Sequence, residues 1–208
     1  MKNFFKDKQN LLILGLFLII ILLGVLLFIG IKKGEEQEKE TDAIKFSKEY
    51  TEVGEDNLYV YRSYEEIVKI LENGTGVVLL GFPECPWCRR YAVYLNEVAK
   101  DLDYDKIYYY NILEDRQNNT EEYKKIVSLI SEHLQYDDEG NKRIYVPSVI
   151  AVNKGEIVGF DDETAWDTKG FETPEEYWNE VAVTSLKDKL STMLIKAHPN
   201  MCNSCNDD

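Results

Sequence analysis

Residues 81–92 read GFPECPWCRRYA and contain two cysteines, Cys85 and Cys88, separated by Pro86 and Trp87. A Cys-x-x-Cys pair serves in metal sites, in structural disulfides and in redox-active dithiols. Spacing alone does not separate these three kinds of site. The segments before and after the pair therefore decide both the fold and the chemistry.

An apolar strand is predicted before the pair and a helix after it. Residues 77–82 (VVLLGF) form an unbroken apolar run, which is typical of a strand buried on both faces. After the pair, apolar residues recur at helical spacing, namely Ala92, Leu95, Val98, Ala99 and Leu102. The cysteines are thus expected at a strand-to-helix turn.

The two cysteines are expected to differ in reactivity at such a turn. The helix dipole and the free N–H groups of the first turn stabilise a thiolate at Cys85, which is predicted to be the attacking sulfur. Cys88 lies one turn into the helix and is predicted to be the more buried, resolving sulfur. Pro86 suits the first helical turn, where an N–H is not needed. Trp87 is predicted either to contact substrates or to cover the helix end.

Charged residues flank the pair and act in opposite directions. Arg89 and Arg90 would stabilise the Cys85 thiolate if their side chains fold back over it, whereas plain solvation is the simpler interpretation. Glu84 would oppose the thiolate. Their net effect stays open at this level.

The rest of the chain predicts an α/β domain in the order β-α-β-α-β-α-β-β-α. The early strands alternate with helices and should be parallel, whereas the last two form an antiparallel hairpin around Asn153-Lys154-Gly155. A helix is predicted from Thr120 to about residue 135, and a long helix from Thr173 with Trp178 and Val181 on its apolar stripe. The predicted strands are residues 58–61, 77–82, 107–112, 149–152 and 157–160.

The N-terminal region predicts a membrane anchor. Residues 11–31 are 21 residues without a charge, enough to span a bilayer core of about 30 Å as a helix. A cleaved signal peptide is disfavoured, because the run is long and no small-x-small site follows it. The short basic leader favours a single-pass protein of the cell membrane whose domain is extracytoplasmic.

Composition divides the chain into four regions. These are residues 1–33 (leader and transmembrane anchor), 34–57 (charged tether), 58–197 (folded domain) and 198–208 (polar tail). The formal net charge of −14 argues against nucleic acid and anionic lipid headgroups as partners. The acids Asp161, Asp162, Glu163 and Asp167 are interpreted as a solvated loop rather than a cation site.

A second Cys-x-x-Cys pair, Cys202 and Cys205, lies in the tail. It is predicted to be a local disulfide or a mobile thiol pair, and a possible second redox pair that exchanges with Cys85 and Cys88. A shared zinc site is disfavoured, because 113 residues separate Cys88 from Cys202, far beyond zinc-ribbon spacing. No metal site and no bound cofactor is expected.

The stretch VVLLGFPECPWCRR, with Val146-Pro147-Ser148-Val149 opening a later strand, resembles the active site of the thioredoxin superfamily. The resemblance covers roughly residues 58–197. It implies a thioredoxin-like fold, a central mixed sheet flanked by helices, with an extra helix inserted before the proline strand. It further implies that Pro147 is cis, lies against the cysteines, and with Val146 helps to bind the substrate backbone.

The resemblance has departures. Leu79 stands where thioredoxins commonly carry a buried acid, and the dipeptide between the cysteines is Pro-Trp rather than Gly-Pro. The proton relay and the redox direction are therefore open. The inserted helix resembles that of membrane-anchored accessory thioredoxin-like proteins of Gram-positive bacteria.

Two functions remain. The first is a membrane-tethered thiol–disulfide oxidoreductase that acts on exported protein or peptide thiols and disulfides, exchanges electrons with an unidentified redox partner, and uses Cys85 and Cys88. The alternative is a binding or accessory module of the same fold, which holds an exported peptide or transporter without redox turnover. Retention of activity by Cys85→Ser would favour the alternative.

Overall fold

The structure is a computed structural model that describes residues 13–24, 40–162 and 170–198. The chain divides into two compact units, Met1–Thr41 and Asp42–Asp208. In the first unit, residues 13–24 are helical, and the rest of the predicted anchor run lies outside the described residues. Among the residues that are described, no helix has the length and apolar character needed to span a membrane.

A mixed five-stranded sheet forms the centre of the second unit. Its order is β1-β3-β2-β6-β7, and a separate ribbon pairs β4 with β5. The first three strands of the sheet are parallel, and the last two are antiparallel to their neighbours. The strands are β1 (Tyr59–Tyr61), β2 (Gly76–Gly81), β3 (Ile107–Asn111), β4 (Gln135–Tyr136), β5 (Lys142–Arg143), β6 (Ser148–Asn153) and β7 (Glu156–Asp161).

Helices flank both faces of this sheet. They are α1 (Asp42–Glu49), α2 (Tyr64–Asn73), α3 (Pro86–Asp101), α4 (Leu113–Asn118), α5 (Glu121–Ile130), α6 (Pro174–Tyr177) and α7 (Glu180–Ala197). One apolar cluster joins α1, α3 and α7 to the sheet, and the other joins α2 and α5 to it. The protein is therefore an α/β protein with a central mixed sheet between helical layers.

Strand β2 is the centre of this arrangement. All six of its residues are buried. Val77 and Leu79 belong to one apolar cluster, and Val78 and Leu80 belong to the other. This alternation is the period of two that a strand imposes on its side chains. The prediction of a strand buried on both faces is confirmed.

The predicted elements occur in the predicted order along the chain, with additional elements between them and differences in the helices. The long helix predicted from Thr173 is two helices: α6 ends before Trp178, and the side chain of Asn179 caps α7 by accepting the N–H of Ala182. Val181, placed on the apolar stripe, has 79% of its surface exposed. The inserted helix is α5, followed by a 3₁₀ turn over Ser131–His133. Neither α4 nor the ribbon of β4 and β5 was expected.

The predicted tether of residues 34–57 needs a correction, because its second half packs into the core. Phe46 and Tyr50 are fully buried. The Phe46 ring stacks on Tyr50 and Tyr59, with centroids 4.2 and 3.9 Å apart. The Asp42 carboxylate accepts the N–H of Tyr61 at 3.0 Å and ties α1 to the edge strand β1. The domain therefore begins by Asp42 rather than at residue 58.

The predicted solvated acidic loop also needs a correction. Asp161 and Asp162 are only 4% and 3% exposed. The Asp161 carboxylate accepts the Tyr91 hydroxyl at 2.5 Å and pairs with Lys189 at 2.9 Å. Asp161 thus joins β7 to helices α3 and α7, while Glu163 and Asp167 lie outside the described residues.

The role of α1 predicts the effect of truncating its buried ring. Phe46→Ala should lower the free energy of unfolding by about 3–5 kcal/mol, because it removes a buried aromatic ring and leaves a cavity. Urea denaturation of the purified chain measures the loss. The control Val181→Ala removes apolar surface from an exposed position and should change stability by less than about 0.5 kcal/mol. Equal effects of the two substitutions would contradict the placement of α1 in the core.

Candidate active site

The two cysteines lie where β2 passes into α3, as predicted. Cys85 is the N-cap of α3, and its Sγ accepts the backbone N–H of Cys88 at 3.2 Å. The N–H of Cys85 donates to the carbonyl oxygen of Phe82 at 3.2 Å, which closes the turn. Pro86 occupies the first turn of the helix. The sulfur of Cys85 therefore takes the position that Ser or Asp occupies in an ordinary helix cap.

Cys85 has the properties of a nucleophile. It is partly exposed and is present as a free thiol. The hydrogen bond from the Cys88 side chain lowers the pKa of the Cys85 thiol to about 7, helped by the N–H groups of Cys88 and Trp87 and by the charge of Arg116. Burial opposes this lowering. Near neutral pH a large fraction of Cys85 is thiolate, the form that attacks disulfides.

Cys88 has the opposite properties. It is a free thiol with no exposed surface. Burial raises the pKa of the Cys88 thiol well above its ordinary value, and the hydrogen bond to Cys85 and its negative charge raise that pKa further. Cys88 therefore stays protonated while Cys85 is the thiolate. The predicted division into an attacking and a resolving sulfur agrees with this geometry.

Val146 and Pro147 lie beside the cysteine pair. The Val146–Pro147 peptide bond is cis, as the resemblance implies. The Val146 carbonyl oxygen is 4.0 Å from the Sγ of Cys85. Pro147 is buried and Val146 is partly exposed. A substrate chain placed against the Val146 backbone would thus bring its sulfur close to Cys85.

Trp87 covers the helix end. Its ring contacts Tyr177 and Trp178 edge-on, with centroids 5.5 and 5.6 Å apart. It remains partly exposed. One of the two predicted roles of Trp87 is therefore seen in its packing, and the contact with substrate stays a prediction.

The cation with the largest effect on the pKa of Cys85 is Arg116 rather than an adjacent arginine. Arg89 donates to the Pro83 carbonyl at 2.8 Å, and Arg90 pairs with Glu52 at 3.3 Å. Arg116, on α4, instead lies over the Phe82 ring at 4.8 Å. Its charge lowers the pKa of Cys85. Sequence reasoning missed Arg116, because no local pattern indicates that α4 folds back on the cysteine turn.

Hydroxyl groups lie behind Cys88. Leu79 is fully buried in the core and offers no polar group there. The hydroxyls of Tyr50 and Tyr109 are 3.1 Å apart. A Cβ on Gly81 would lie 3.3 Å from the Cys88 sulfur and 3.5 Å from the Tyr50 hydroxyl, so both atoms face the same small space. Burial raises the pKa of both tyrosines, which keeps them neutral.

Metal binding has no support in the part of the chain that is described. No group of three or more His, Cys, Asp or Glu side chains is arranged there to hold an ion. Cys202 and Cys205 lie outside the described residues, so the roles predicted for them stay predictions.

Comparisons with other proteins add nothing to the geometry of the site. No protein-family model matches the chain, and no curated protein and no solved structure matches it. The function must therefore be inferred from the thiols and their surroundings.

The lowered pKa of Cys85 predicts a pH profile for its alkylation. A chain with Cys202→Ser and Cys205→Ser should react with iodoacetamide at Cys85 with a midpoint near pH 7, because only the thiolate reacts and it forms as pH rises through the pKa. Arg116→Gln should move the midpoint to higher pH, since it removes a charge that favours the thiolate. Rates from stopped reactions, with mass spectrometry of the site, measure both.

Arg90→Gln is the matched control for this profile. It removes the same charge close to the cysteines, but Arg90 pairs with Glu52, so the midpoint should stay near pH 7. The chain that carries only Cys202→Ser and Cys205→Ser has both arginines in place. If its midpoint were near pH 8.5, about the pKa of an ordinary thiol, the assignment of Cys85 as the nucleophile would be contradicted.

Proposed function

We propose that this protein is a thiol–disulfide oxidoreductase that uses Cys85 and Cys88. The observation that carries the proposal is the pairing of a partly exposed thiol of lowered pKa at a helix N-terminus with a buried, protonated thiol one turn later. A structural disulfide needs no such difference between its sulfurs. Thiol–disulfide exchange does need this difference, because one sulfur must attack as a thiolate while the other stays protonated until the mixed disulfide has formed.

The chemistry proceeds by two exchange steps. The Cys85 thiolate attacks a substrate disulfide, so a bond forms between Cys85 and one substrate sulfur, and the other sulfur leaves as a thiolate that takes a proton. Cys88 then loses its proton and attacks Cys85, which releases the second substrate thiol. The substrate gains two electrons and the protein ends as the Cys85–Cys88 disulfide. The reverse sequence oxidises a substrate dithiol, and neither direction needs a bound cofactor.

A thioredoxin-like fold is part of the proposal. It is supported by the sheet order β1-β3-β2-β6-β7, by the cysteine turn between β2 and α3, and by the cis Val146–Pro147 bond beside Cys85. In that fold the backbone of the residue before the cis-proline, here the partly exposed Val146, binds an extended substrate segment. The inserted α4, α5 and the ribbon of β4 and β5 lie in the chain between β3 and the proline strand.

We place this activity outside the cytoplasm, on a domain tethered to the cell membrane. The support is the uncharged run of residues 11–31, which follows a short basic leader and precedes the large domain. Exported proteins or peptides with thiols or disulfides are then the substrates, and a separate redox protein supplies or accepts the electrons. The direction of transfer follows from the potential of the pair.

A redox titration tests the proposal. The full chain with Cys202→Ser and Cys205→Ser, equilibrated in glutathione buffers and trapped with a thiol reagent, should titrate as one two-electron couple. A potential near about −270 mV makes it a reductant, and one above about −180 mV makes it an oxidant or isomerase. The proposal would be overturned if the two cysteines bound zinc, or if the ratio of dithiol to disulfide did not change across the glutathione buffers.

Single substitutions separate the two sulfurs. Cys88→Ser should accumulate a mixed disulfide between Cys85 and substrate, because the resolving thiol is missing, and mass spectrometry identifies the linked residue. Cys85→Ser should remove activity entirely. If Cys85→Ser leaves the biological activity intact, the protein is instead a binding module that holds its partner without redox turnover.

A further inference from the structure

A cavity of about 470 Å³ lies between α4, α5 and the ribbon of β4 and β5. These elements make up the insertion before the proline strand. Its charged lining combines four cations with two carboxylates, namely Arg116, Lys124, Lys142, Arg143, Asp137 and Glu139. In a chain whose formal net charge is −14, this surplus of positive charge is local and unusual.

The two arginines of the cavity have no carboxylate partner among the described residues. Arg116 is partly buried, and burial together with the nearby charge of Arg143 lowers the pKa of Arg116. Neither guanidinium forms a hydrogen bond or an ion pair with any residue that the structure describes. Their side-chain contacts there are with the rings of Phe82 and Tyr145. Two mutually repelling guanidiniums with free donors are suited to hold an anion.

Three of the other four charged side chains of the cavity are engaged, and the exposed Glu139 carboxylate has no partner among the described residues. Asp137 accepts the N–H groups of Glu139 and Asn141 at 3.0 and 2.8 Å, so it holds its own turn together. Lys124 pairs with Glu121 at 2.7 Å, and Lys142 donates to the Leu134 carbonyl at 2.5 Å. The arginine pair is thus the part of the cavity that can receive a ligand.

Two residues of the cavity lining relate it to the cysteine site, Arg116 in space and Arg143 along the chain. The guanidinium of Arg116 lies over the ring of Phe82, and the Phe82 carbonyl accepts the N–H of Cys85. The positive charge of Arg116 lowers the pKa of the Cys85 thiol. Arg143 precedes Val146 by three residues, and the Val146 carbonyl is 4.0 Å from Cys85. Three residues of extended chain span about 10 Å. A substrate segment lying along Val146 therefore reaches the arginines within a few residues of its reactive sulfur.

We propose that Arg116 and Arg143 bind a carboxylate of the substrate polypeptide, so that the enzyme prefers cysteines followed or preceded within a few residues by acidic side chains. This inference rests on the proposed redox function, since it names the substrate class of the same site. Each arginine offers a planar set of donors that matches a carboxylate. Positioning the acidic residue in the cavity places the neighbouring sulfur at Cys85.

Matched peptides test the preference. Three synthetic peptides share one intramolecular disulfide and differ only in two residues near one cysteine, which are Glu, Gln or Lys. For the full chain with Cys202→Ser and Cys205→Ser, kcat/KM should be highest for the Glu peptide and lowest for the Lys peptide. Arg143→Gln should reduce the advantage of the Glu peptide over the Gln peptide by roughly tenfold. Arg143→Lys should recover part of the advantage, and raised salt should weaken it.

The control variant is again Arg90→Gln, which removes one positive charge near Cys85 without touching the cavity and should leave the order of the peptides unchanged. Equal kcat/KM for all three peptides, or an equal loss in the Arg90 and Arg143 variants, would overturn the inference while the redox function stands. Inorganic phosphate serves as a competitor of the Glu peptide. We expect it to inhibit the reaction only weakly, to the same extent as other salts of equal ionic strength. Tight phosphate binding without any effect of peptide charge would assign the cavity to a small anion and overturn the inference.

A binding measurement keeps the two proposals apart. The chain with all four cysteines changed to serine cannot exchange disulfides, but it should still bind a fluorescent Glu peptide more tightly than the Gln peptide, and Arg143→Gln should abolish the difference. If redox activity is absent and this difference remains, the proposed enzyme function fails and the cavity assignment stands. If the difference is absent in this chain, the cavity assignment fails.

Discussion

The hydrogen bond from the Cys88 N–H to the Cys85 sulfur links the start of α3 to the reactivity of the site. A helix leaves its first N–H groups without partners, and a side-chain acceptor at the N-cap supplies one. Here the acceptor is a sulfur, and a thiolate accepts more strongly than a thiol. The bond that starts the helix is therefore also a bond that favours the reactive form of Cys85. Strand β2, buried on both faces, holds the cap in place.

The difference between the two thiols depends on what lies beneath them. The Cys88 sulfur and the Tyr50 hydroxyl face the same small space at Gly81, the Tyr109 hydroxyl is 3.1 Å from that of Tyr50, and Leu79 provides no acid. Because burial keeps both hydroxyls neutral, they add no negative charge near Cys88. Tyr50 follows α1, so the segment expected to be a tether supplies part of the floor of the site.

Sequence reasoning succeeded where the signal is local and failed where it is not. The apolar strand of 77–82 and the helix start at the cysteines follow from the residues within one element, whereas the cis Val146–Pro147 bond was implied by the resemblance; the structure agrees with all three. Helix α1 has few apolar residues in a charged run, and only its stacking on distant rings reveals that it belongs to the core. Arg116 was missed for the same reason, because its relation to Cys85 is created by the chain folding back. The break before Trp178 had a local signal in Asn179, a preferred cap residue, which the stronger signal at Thr173 obscured.

A chain of negative net charge can still prefer acidic substrates, because salt screens the substrate from charges that lie far from its binding site. At physiological ionic strength the Debye length is about 8 Å, so exposed acids farther from the site than this contribute little to the field at the cavity. Arg116 and Arg143 line that cavity, and Arg116 is partly buried, where screening is weaker. The same Arg116 charge favours the Cys85 thiolate. A carboxylate bound there would partly neutralise this charge, which raises the basicity of Cys85 when a substrate disulfide is beside it. Each Cys85 thiolate is then a stronger nucleophile, but a smaller fraction of Cys85 is thiolate near pH 7. These two effects oppose each other, so an acidic segment would promote the reaction by positioning the neighbouring sulfur rather than by activating Cys85.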